Sequence, residues 1–182
     1  KDYNAFMNLS TAERLIAINR EFYNNFGNEF SATRQRLQTG VKKILETIKE
    51  DESVLDLGCG NGHFLNELFE SGHTAPLLGV DFSLPLLRDA ESQPGDFSAK
   101  FMQADLTKLS AFNNQLTGDW SLITSFAVLH HIPSIEIRLD ILKTVHQLLK
   151  PTGLFIHSNW QFLNSNNHGL IESLYACSDA VA

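Results

Sequence analysis

The sequence contains few cysteines and no long apolar run. Only two of its 182 residues are cysteine, Cys59 and Cys177, and neither belongs to a CxxC pair. Two cysteines cannot form a disulfide framework, and this usage is typical of proteins in a reducing cytoplasm. No apolar segment approaches the roughly 18 residues that a membrane-spanning helix requires. We therefore expect a cytoplasmic protein with no membrane association.

Positive charge is also scarce. The 14 Lys and Arg residues face 21 Asp and Glu residues, for a net charge of -7, which argues against a protein that coats nucleic acid non-specifically. Residues 1–50 nevertheless carry a net charge of +2, and the rest of the chain carries -9. The basic segment leaves a local contact with an anionic partner open.

The length predicts one domain, with a helical cap over residues 1–50 and a core over residues 51–182.

The first fifty residues have helical periodicity. Ser10 and Glu13 fit a capping box at the start of one helix, and Ser31 is placed to cap a second helix that runs to about Glu50. We expect the phenylalanines of this segment to pack in the core in preference to forming a stacking platform; they are Phe22, Phe26 and Phe30.

From residue 51 onward, short apolar runs alternate with helical segments. The predicted strands cover residues 53–57, 77–81, 100–104, 120–125 and 153–158, and the predicted helices cover residues 62–71, 84–90 and 135–149. This alternation is typical of an α/β fold with a doubly wound, Rossmann-like parallel sheet. The segment that follows, residues 169–182, is predicted to be helical.

A glycine-rich loop follows the first predicted strand. Its sequence, Asp56-Leu57-Gly58-Cys59-Gly60-Asn61-Gly62, allows a ligand to approach the backbone, and the next helix offers free N–H groups. A dinucleotide-binding enzyme is the natural alternative. The spacing is G-x-G-x-G, however, where the pyrophosphate fingerprint is G-x-G-x-x-G. Asp56 also lies two residues before the first glycine, where a carboxylate suits an ammonium group better than a pyrophosphate.

Two further carboxylates follow the next two strands. Asp81 ends the second strand, where an acid can accept hydrogen bonds from both hydroxyls of a ribose. Asp105 follows the third strand, where it could accept a hydrogen bond from an adenine amino group. Three acids at three consecutive strand ends suit a ligand that combines a ribose, a cationic amine and a sulfonium.

Five segments together resemble the successive motifs of class I S-adenosylmethionine-dependent methyltransferases. They are VLDLGCGNG, LLGVDFS, QADLTKL, SFAVLHHIP and LLKPTGLFI, in this order, and they span roughly residues 51–158. The resemblance implies S-adenosylmethionine as cofactor. It also implies a set of cofactor-binding residues: Asp56, Gly58, Cys59, Gly60, Asn61 and Gly62 at the methionine end, Asp81 and Phe82 at the ribose, Ala104, Asp105 and Leu106 at the adenine, and Ser125 and Phe126 near the methyl-transfer site.

The family's fold ordinarily adds an antiparallel hairpin of two strands after the fifth strand. Nothing after Trp160 has the pattern of such a hairpin. We therefore expect the hairpin to be missing, with residues lacking at or near the C-terminus. Because the first residue is Lys1, residues before it are also expected to be lacking.

The N-terminal segment is similar to a narrower group, the tRNA wobble-uridine carboxymethyl methyltransferases. The similarity lies in the stretches EFYNNF and FSATR, and the segments SFAVLHHI and SNWQ also resemble that group. The resemblance implies tRNA as methyl acceptor and a small zinc-binding protein subunit as activating partner. The acceptor would be the carboxylate of a 5-carboxymethyluridine. Because a carboxylate is already nucleophilic, no general base is assigned, and Arg34 is a candidate to hold the acceptor.

Other candidate residues and functions remain open. His130, Asn159 and Trp160 are candidates for acceptor contact. Adjacent histidines at 130 and 131 point in different directions and lack a second ligand pair, so no metal site is predicted. A small-molecule O- or C-methyltransferase is an alternative function, supported by the negative charge and by N-terminal helices that could form a lid. A non-catalytic cofactor-binding module is a further alternative.

Overall fold

The computed structural model describes residues 7–33, 36–93, 97–161 and 171–177, and these ranges form a six-stranded sheet with helices on both faces. The helices are α1 (Leu9–Thr33), α2 (Thr39–Leu45), α3 (His63–Glu70), α4 (Leu84–Glu91) and α5 (Ile135–Leu148). The strands are β1 (Val54–Leu57), β2 (Leu77–Asp81), β3 (Lys100–Gln103), β4 (Trp120–Phe126), β5 (Leu149–Gln161) and β6 (Ile171–Cys177). Two 3₁₀ helices, Leu106–Phe112 and Leu129–His131, follow β3 and β4.

The strand order is β3-β2-β1-β4-β5-β6, and the first five of these strands in the chain are parallel. The chain leaves β1 toward one edge of the sheet and returns through β4 toward the other edge, so the order reverses next to β1. In open α/β sheets, ligands bind beyond the carboxyl ends of the strands at such a reversal. The predicted doubly wound parallel sheet is confirmed, with strand bounds within one residue of the prediction for β1 to β4.

Two apolar clusters pack against the two faces of the sheet. Val54 belongs to the cluster that contains α3 side chains, whereas Leu55 and Leu57 belong to the cluster that contains α5 side chains. The alternation follows from the period of two residues along a strand. Burial on both faces explains why all four residues of β1 are buried, and why all but Asp56 are apolar.

The N-terminal region differs from its prediction in two respects. Helix α1 begins at Leu9, and Asn8 caps it, because the Asn8 Oδ1 accepts a hydrogen bond from the Thr11 N–H at 2.8 Å. The helix then continues through Ser31 to Thr33 with a kink at Phe26, so Ser31 starts no new helix. The kink precedes Gly27, whose lack of a side chain lets the helix pack against Pro85, since a Cβ there would lie 3.3 Å from Pro85 Cβ.

Two phenylalanines of α1, Phe22 and Phe26, are not in the core. Phe22 is 48% exposed and Phe26 is 52% exposed, together with Leu15 and Ile18 on the same helical face. The prediction of core packing is therefore wrong for these two rings, because α1 turns a different face, containing Ala12 and Gly27, toward the rest of the protein. The side chain of Phe30 lies outside the described residues.

The C-terminal segment also corrects the prediction. Residues Ile171–Cys177 form β6, which pairs antiparallel with β5 from Phe155↔Cys177 to Gln161↔Ile171. The free edge of β5 offers a row of unpaired backbone groups, and pairing with this edge overrides the helical preference of the segment. The helical prediction for this segment is therefore wrong, and one antiparallel strand follows β5 among the described residues, where the family's hairpin has two. Among the described residues, no helix is long and apolar enough to cross a membrane.

Candidate functional site

A cavity of about 220 Å³ opens at the carboxyl ends of β1, β2 and β4. One wall, which we call the floor, consists of the loop of residues 58–61 with Asp56, Asp81 and Asp105 at the strand ends. The opposite wall, which we call the cap, consists of α1 and residues 36–41. Ten of the predicted cofactor-binding residues line this cavity: Asp56, Gly58, Cys59, Gly60, Asn61, Asp81, Phe82, Asp105, Leu106 and Phe126.

The glycine loop adopts a conformation that other residues rarely adopt. Gly58, Gly60 and Gly62 have φ angles of 80°, 55° and 71°. A Cβ at Gly58 would lie 2.4 Å from Val128 Cγ2, and a Cβ at Gly62 would lie 2.8 Å from the Phe101 ring. The Gly58 N–H donates to the Val80 carbonyl at 2.7 Å, which fixes the loop against β2. The backbone of the loop is thus preformed for close contact with a ligand.

Asp56 lies at the base of the cavity and is only 3% exposed. Its Oδ1 accepts a hydrogen bond from the Thr124 hydroxyl at 2.8 Å, across the β1–β4 pair in which these residues are in register. Burial raises the pKa of Asp56 to about 7; the Thr124 hydrogen bond opposes this rise and the nearby Asp81 charge adds to it. A cationic group of a ligand would favour the ionised carboxylate, so Asp56 is suited to an ammonium.

Asp81 links the glycine loop to the start of α4. Its Oδ2 accepts from the Gly60 N–H at 2.9 Å, and its Oδ1 accepts from the Ser83 N–H at 2.8 Å. Burial raises the pKa of Asp81, and these backbone hydrogen bonds work against that rise. A carboxylate has about four acceptor positions, so each oxygen can still accept from a ligand hydroxyl. This geometry fits the two hydroxyls of a ribose.

Asp105 is engaged on both oxygens. Its Oδ1 accepts from the Thr107 N–H at 3.0 Å and from the Thr107 hydroxyl at 2.7 Å, because Asp105 caps the 3₁₀ helix Leu106–Phe112. Its Oδ2 pairs with the Arg20 guanidinium, which reaches across the cavity from α1. The oxygen available to an adenine amino group is therefore the one that Arg20 contacts.

Polar contacts join the cap to the other walls of the cavity. Besides the Arg20–Asp105 pair, the Asn61 amide donates to the Ser31 hydroxyl at 3.0 Å. The Tyr23 hydroxyl lies 3.3 Å from His131 Nε2, and the Tyr23 ring meets the Phe82 ring edge-to-face. Helix α1 therefore spans the cavity mouth from the end of β3 to the loop after β4.

The loop after β4 forms the side of the cavity away from Asp105. Ala127 lines the cavity with a φ of 56°, which is uncommon for a residue other than glycine. Its N–H donates to both the carbonyl and the hydroxyl of Ser158, at 3.1 Å and 3.0 Å. His131 also lines the cavity, and burial lowers its pKa, so this imidazole is biased toward its neutral form.

Several predicted residues lie off the cavity wall. The residues that do not line the cavity are Gly62, Ala104, Ser125, His130 and Asn159. Burial lowers the pKa of His130 to about 4, with the neighbouring His131 contributing, whereas a hydrogen bond with Asn159 opposes the change. Arg34 lies outside the described residues, as does the side chain of Trp160. Among the described side chains, no group of three or more His, Cys, Asp or Glu could hold a metal ion.

The sequence did not reveal which residues of the cap line the cavity. Apart from the predicted residues, the cavity is lined by Ile16, Asn19, Arg20, Tyr23, Arg36, Leu37, Gln38, Val41, His63, Phe64, Leu86, Thr107, Ala127, Val128, His131 and Ile132. Apolar residues recur at helical spacing over residues 9–33, but they lie on the exposed face of α1 as well as on its inner face. The polar positions Asn19, Arg20 and Tyr23, which lie between the apolar ones, marked the face that covers the site.

Comparison with known proteins identifies the family. The family model described as a methyltransferase domain matches residues 30–176. A candidate methyltransferase of Encephalitozoon cuniculi is 31% identical over 140 residues, which cover 76% of this chain and 60% of that protein. The tRNA (carboxymethyluridine(34)-5-O)-methyltransferase of Arabidopsis thaliana is 28% identical over 138 residues, covering 76% of this chain and 31% of that protein. The chain thus spans less than two thirds of the length of these relatives.

A solved structure with the same architecture supports this result. The S-adenosylmethionine-dependent methyltransferase from Mesorhizobium loti is 30% identical, with a TM-score of 0.53, and the match covers 65% of this chain and 53% of that one. The family match, the strand order and the glycine loop between β1 and α3 all agree with the motifs recognised in the sequence. The chain belongs to the class I S-adenosylmethionine-dependent methyltransferase family.

Proposed function

We propose that this protein transfers a methyl group from S-adenosylmethionine to the carboxylate of a 5-carboxymethyluridine in tRNA. The observation that carries the proposal is the arrangement of the floor, in which a preformed glycine loop and three strand-end acids line one cavity. The tRNA acceptor is supported by the FSATR segment and by the similarity to the plant tRNA enzyme.

The residues of the floor fit the cofactor by their chemistry. Asp56 would hold the cationic amine, Asp81 the ribose hydroxyls and Asp105 the adenine amino group, while the backbone of residues 58–62 would contact the methionine end. When bound, S-adenosylmethionine supplies an electrophilic methyl group on a sulfonium. Its positive charge suits a cavity whose floor carries three acids and whose glycines leave the backbone accessible.

The role of the protein is to position the acceptor and exclude water. An ionised carboxylate needs no general base, so the alignment of the acceptor oxygen with the methyl group and sulfur supplies most of the acceleration. The effective molarity of well-oriented groups reaches about 10⁵ M or more. We propose that residues 1–50 act as a lid for this purpose, with α1 covering the cavity between Asp105 and His131. We also propose that the protein works with an activating protein subunit and is located in the cytoplasm.

The experiment uses the chemistry of the product. The protein is incubated with methyl-labelled S-adenosylmethionine and tRNA that lacks the ester, and the labelled tRNA is treated with mild alkali. A methyl ester releases labelled methanol, whereas a methyl group on a base carbon, base nitrogen or ribose does not. Unlabelled tRNA, or label that resists alkali, would contradict the proposed acceptor. Asp81→Asn is the inactive reference, and Asp119→Asn, which changes an exposed acid remote from the cavity, is the matched control.

A small-molecule acceptor is the second candidate. It is supported by the enclosure of the cavity by α1, which limits the size of the group that can enter, and by the net charge of -7. This candidate predicts labelled small acids, phenols or quinones in a cell extract and no label in RNA. The two functions are therefore separated by the same labelling reaction, analysed after removal of the nucleic acid.

A further inference from the structure

The two walls of the cavity carry charges of opposite sign. The floor contributes three carboxylates, Asp56, Asp81 and Asp105, whereas the cap contributes two guanidiniums, those of Arg20 and Arg36. The acids suit the cationic cofactor, and no acid among the described residues of the cap lines the cavity. The two guanidiniums of the cap would therefore suit a second ligand that carries negative charge.

Arg20 is the guanidinium that is already in contact with the floor. It is 41% exposed, and it pairs with Asp105 Oδ2, although the two residues are 85 positions apart in the chain. The other oxygen of Asp105 accepts two hydrogen bonds from Thr107. The one acceptor position of Asp105 that remains for the adenine amino group is then on the oxygen that Arg20 contacts, so the cofactor and Arg20 compete for the charge of one carboxylate oxygen.

We infer that Arg20 changes partner during the reaction: it pairs with Asp105 in the free protein and binds an anionic group of the methyl acceptor once the cofactor occupies Asp105. Arg20 is then a specificity-determining residue, and it selects acceptors with a carboxylate or a phosphate. A guanidinium is suited to this exchange because its planar fork binds either oxyanion in two-point contact. The exchange also favours cofactor binding before acceptor binding, because cofactor binding releases the Arg20 guanidinium that the acceptor needs. This inference rests on the proposed methyl transfer.

The position of α1 supports the exchange. One turn after Arg20, Tyr23 contacts His131 at the opposite side of the mouth, so the helix can stay anchored at Tyr23 when Arg20 leaves Asp105. The Ser83 hydroxyl also donates to the Tyr23 carbonyl, at 3.4 Å. Arg20 can thus move by side-chain rotation without removal of the cap.

The first test measures cofactor affinity by calorimetry with S-adenosylhomocysteine. Arg20→Ala removes the competitor for Asp105, so its affinity for S-adenosylhomocysteine should rise about 2- to 5-fold, the size expected of a half-exposed ion pair. Arg14→Ala, on the exposed face of the same helix, should leave the affinity unchanged. A weaker affinity in Arg20→Ala would show that Arg20 holds the cofactor, and the inference would be wrong.

The second test follows the guanidinium directly by NMR. The Arg20 side-chain signal, assigned by its loss in Arg20→Lys, should shift when S-adenosylhomocysteine is added. It should shift again when acetate is added to the protein saturated with S-adenosylhomocysteine, but not when acetamide is added. A signal that does not respond to S-adenosylhomocysteine, or that responds equally to acetate and acetamide, overturns the inference.

The third test measures the methyl transfer itself. With tRNA as acceptor, Arg20→Ala should raise the KM for tRNA about 10- to 100-fold, the effect of losing a charge-assisted hydrogen bond, and Arg20→Lys should recover part of this loss. If wild-type protein does not methylate tRNA but the NMR shifts occur, only the proposed acceptor fails. If tRNA is methylated and Arg20→Ala has an unchanged KM, only the inference fails.

Discussion

The floor and the cap of the cavity are stabilised in different ways. The floor is fixed by hydrogen bonds that backbone N–H groups donate, such as those from the Gly58 N–H to the Val80 carbonyl and from the Gly60 N–H to the Asp81 carboxylate. The cap contacts the floor mainly through side chains, such as Arg20 with Asp105 and Tyr23 with His131. Hydrogen bonds from the backbone preorganise the floor, whereas side-chain contacts can exchange partners. We therefore expect substitutions in the floor to have larger effects than substitutions in the cap.

The largest effect is expected at Gly58. Gly58→Ala places a Cβ 2.4 Å from Val128 Cγ2 in a residue with a φ of 80°. Overpacking and the left-handed conformation together should reduce the free energy of unfolding by about 2–5 kcal/mol, measured by urea denaturation, and S-adenosylhomocysteine binding should be lost.

Gly60→Ala is the matched control, because its φ is 55° but no atom lies within 4 Å of the added Cβ. Its free energy of unfolding should fall by only about 1–2 kcal/mol, the cost of the left-handed conformation for a residue with a side chain. The further substitution Val128→Ala should recover part of the loss in Gly58→Ala. Equal destabilisation of the two glycine variants would contradict the steric explanation.

The next effect is expected at Asp81. Asp81→Ala should weaken S-adenosylhomocysteine binding by about 1–3 kcal/mol, because two ligand hydroxyls and the Gly60 N–H lose their acceptor. Calorimetry measures the change, and Asp119→Ala should bind as the wild type does. An unchanged affinity in Asp81→Ala would show that the ribose lies elsewhere.

The pH dependence of cofactor binding should report Asp56. Its pKa of about 7 in the free protein means that much of the carboxyl is protonated at pH 6, whereas a cationic amine requires the ionised form. The affinity for S-adenosylhomocysteine should therefore rise about 10-fold between pH 6 and pH 8 and then level off. Calorimetry in buffers of different ionisation enthalpy should also detect proton release on binding.

The same group has the opposite effect on the stability of the free protein. Because the pKa of Asp56 in the folded protein lies above the ordinary aspartate value of 3.8, its stabilising contribution is complete below that pH and is lost as the pH rises through about 7. Asp56→Asn should bind weakly, with a flat pH profile. A flat profile in the wild type would contradict the role of Asp56.

The smallest effect is expected in the cap, at Tyr23. Tyr23→Phe removes the contact with His131 Nε2 but keeps the ring against Phe82. Loss of one neutral hydrogen bond costs about 0.5–1.5 kcal/mol, so S-adenosylhomocysteine should dissociate a few times faster in stopped-flow measurements. A loss as large as that of Asp81→Ala would show that the cap is as essential as the floor.

The same division separates what the sequence predicts from what it does not. The floor was predictable because a glycine loop after a buried strand and acids at successive strand ends are local patterns. Parallel strands bring these patterns to one edge, so Asp56, Asp81 and Asp105 meet in one cavity. The five parallel strands were predictable for the same reason.

The cap depends on contacts between distant segments. Helical periodicity shows that residues 9–33 are helical but does not show which face turns inward, so Phe22 and Phe26 were assigned to the core although they are exposed. The pairing of Arg20 with Asp105 requires the docking of α1 on the sheet. Strand β6 likewise depends on the free edge of β5, which no local pattern in residues 171–177 reveals.

The most direct measurement of the central claim is a crystal structure with S-adenosylhomocysteine bound. The account predicts that the amino group lies at Asp56, the ribose hydroxyls at Asp81 and the adenine amino group at Asp105, with the homocysteine along the backbone of residues 58–62. An empty cavity, or a ligand that contacts none of the three carboxylates, would contradict it.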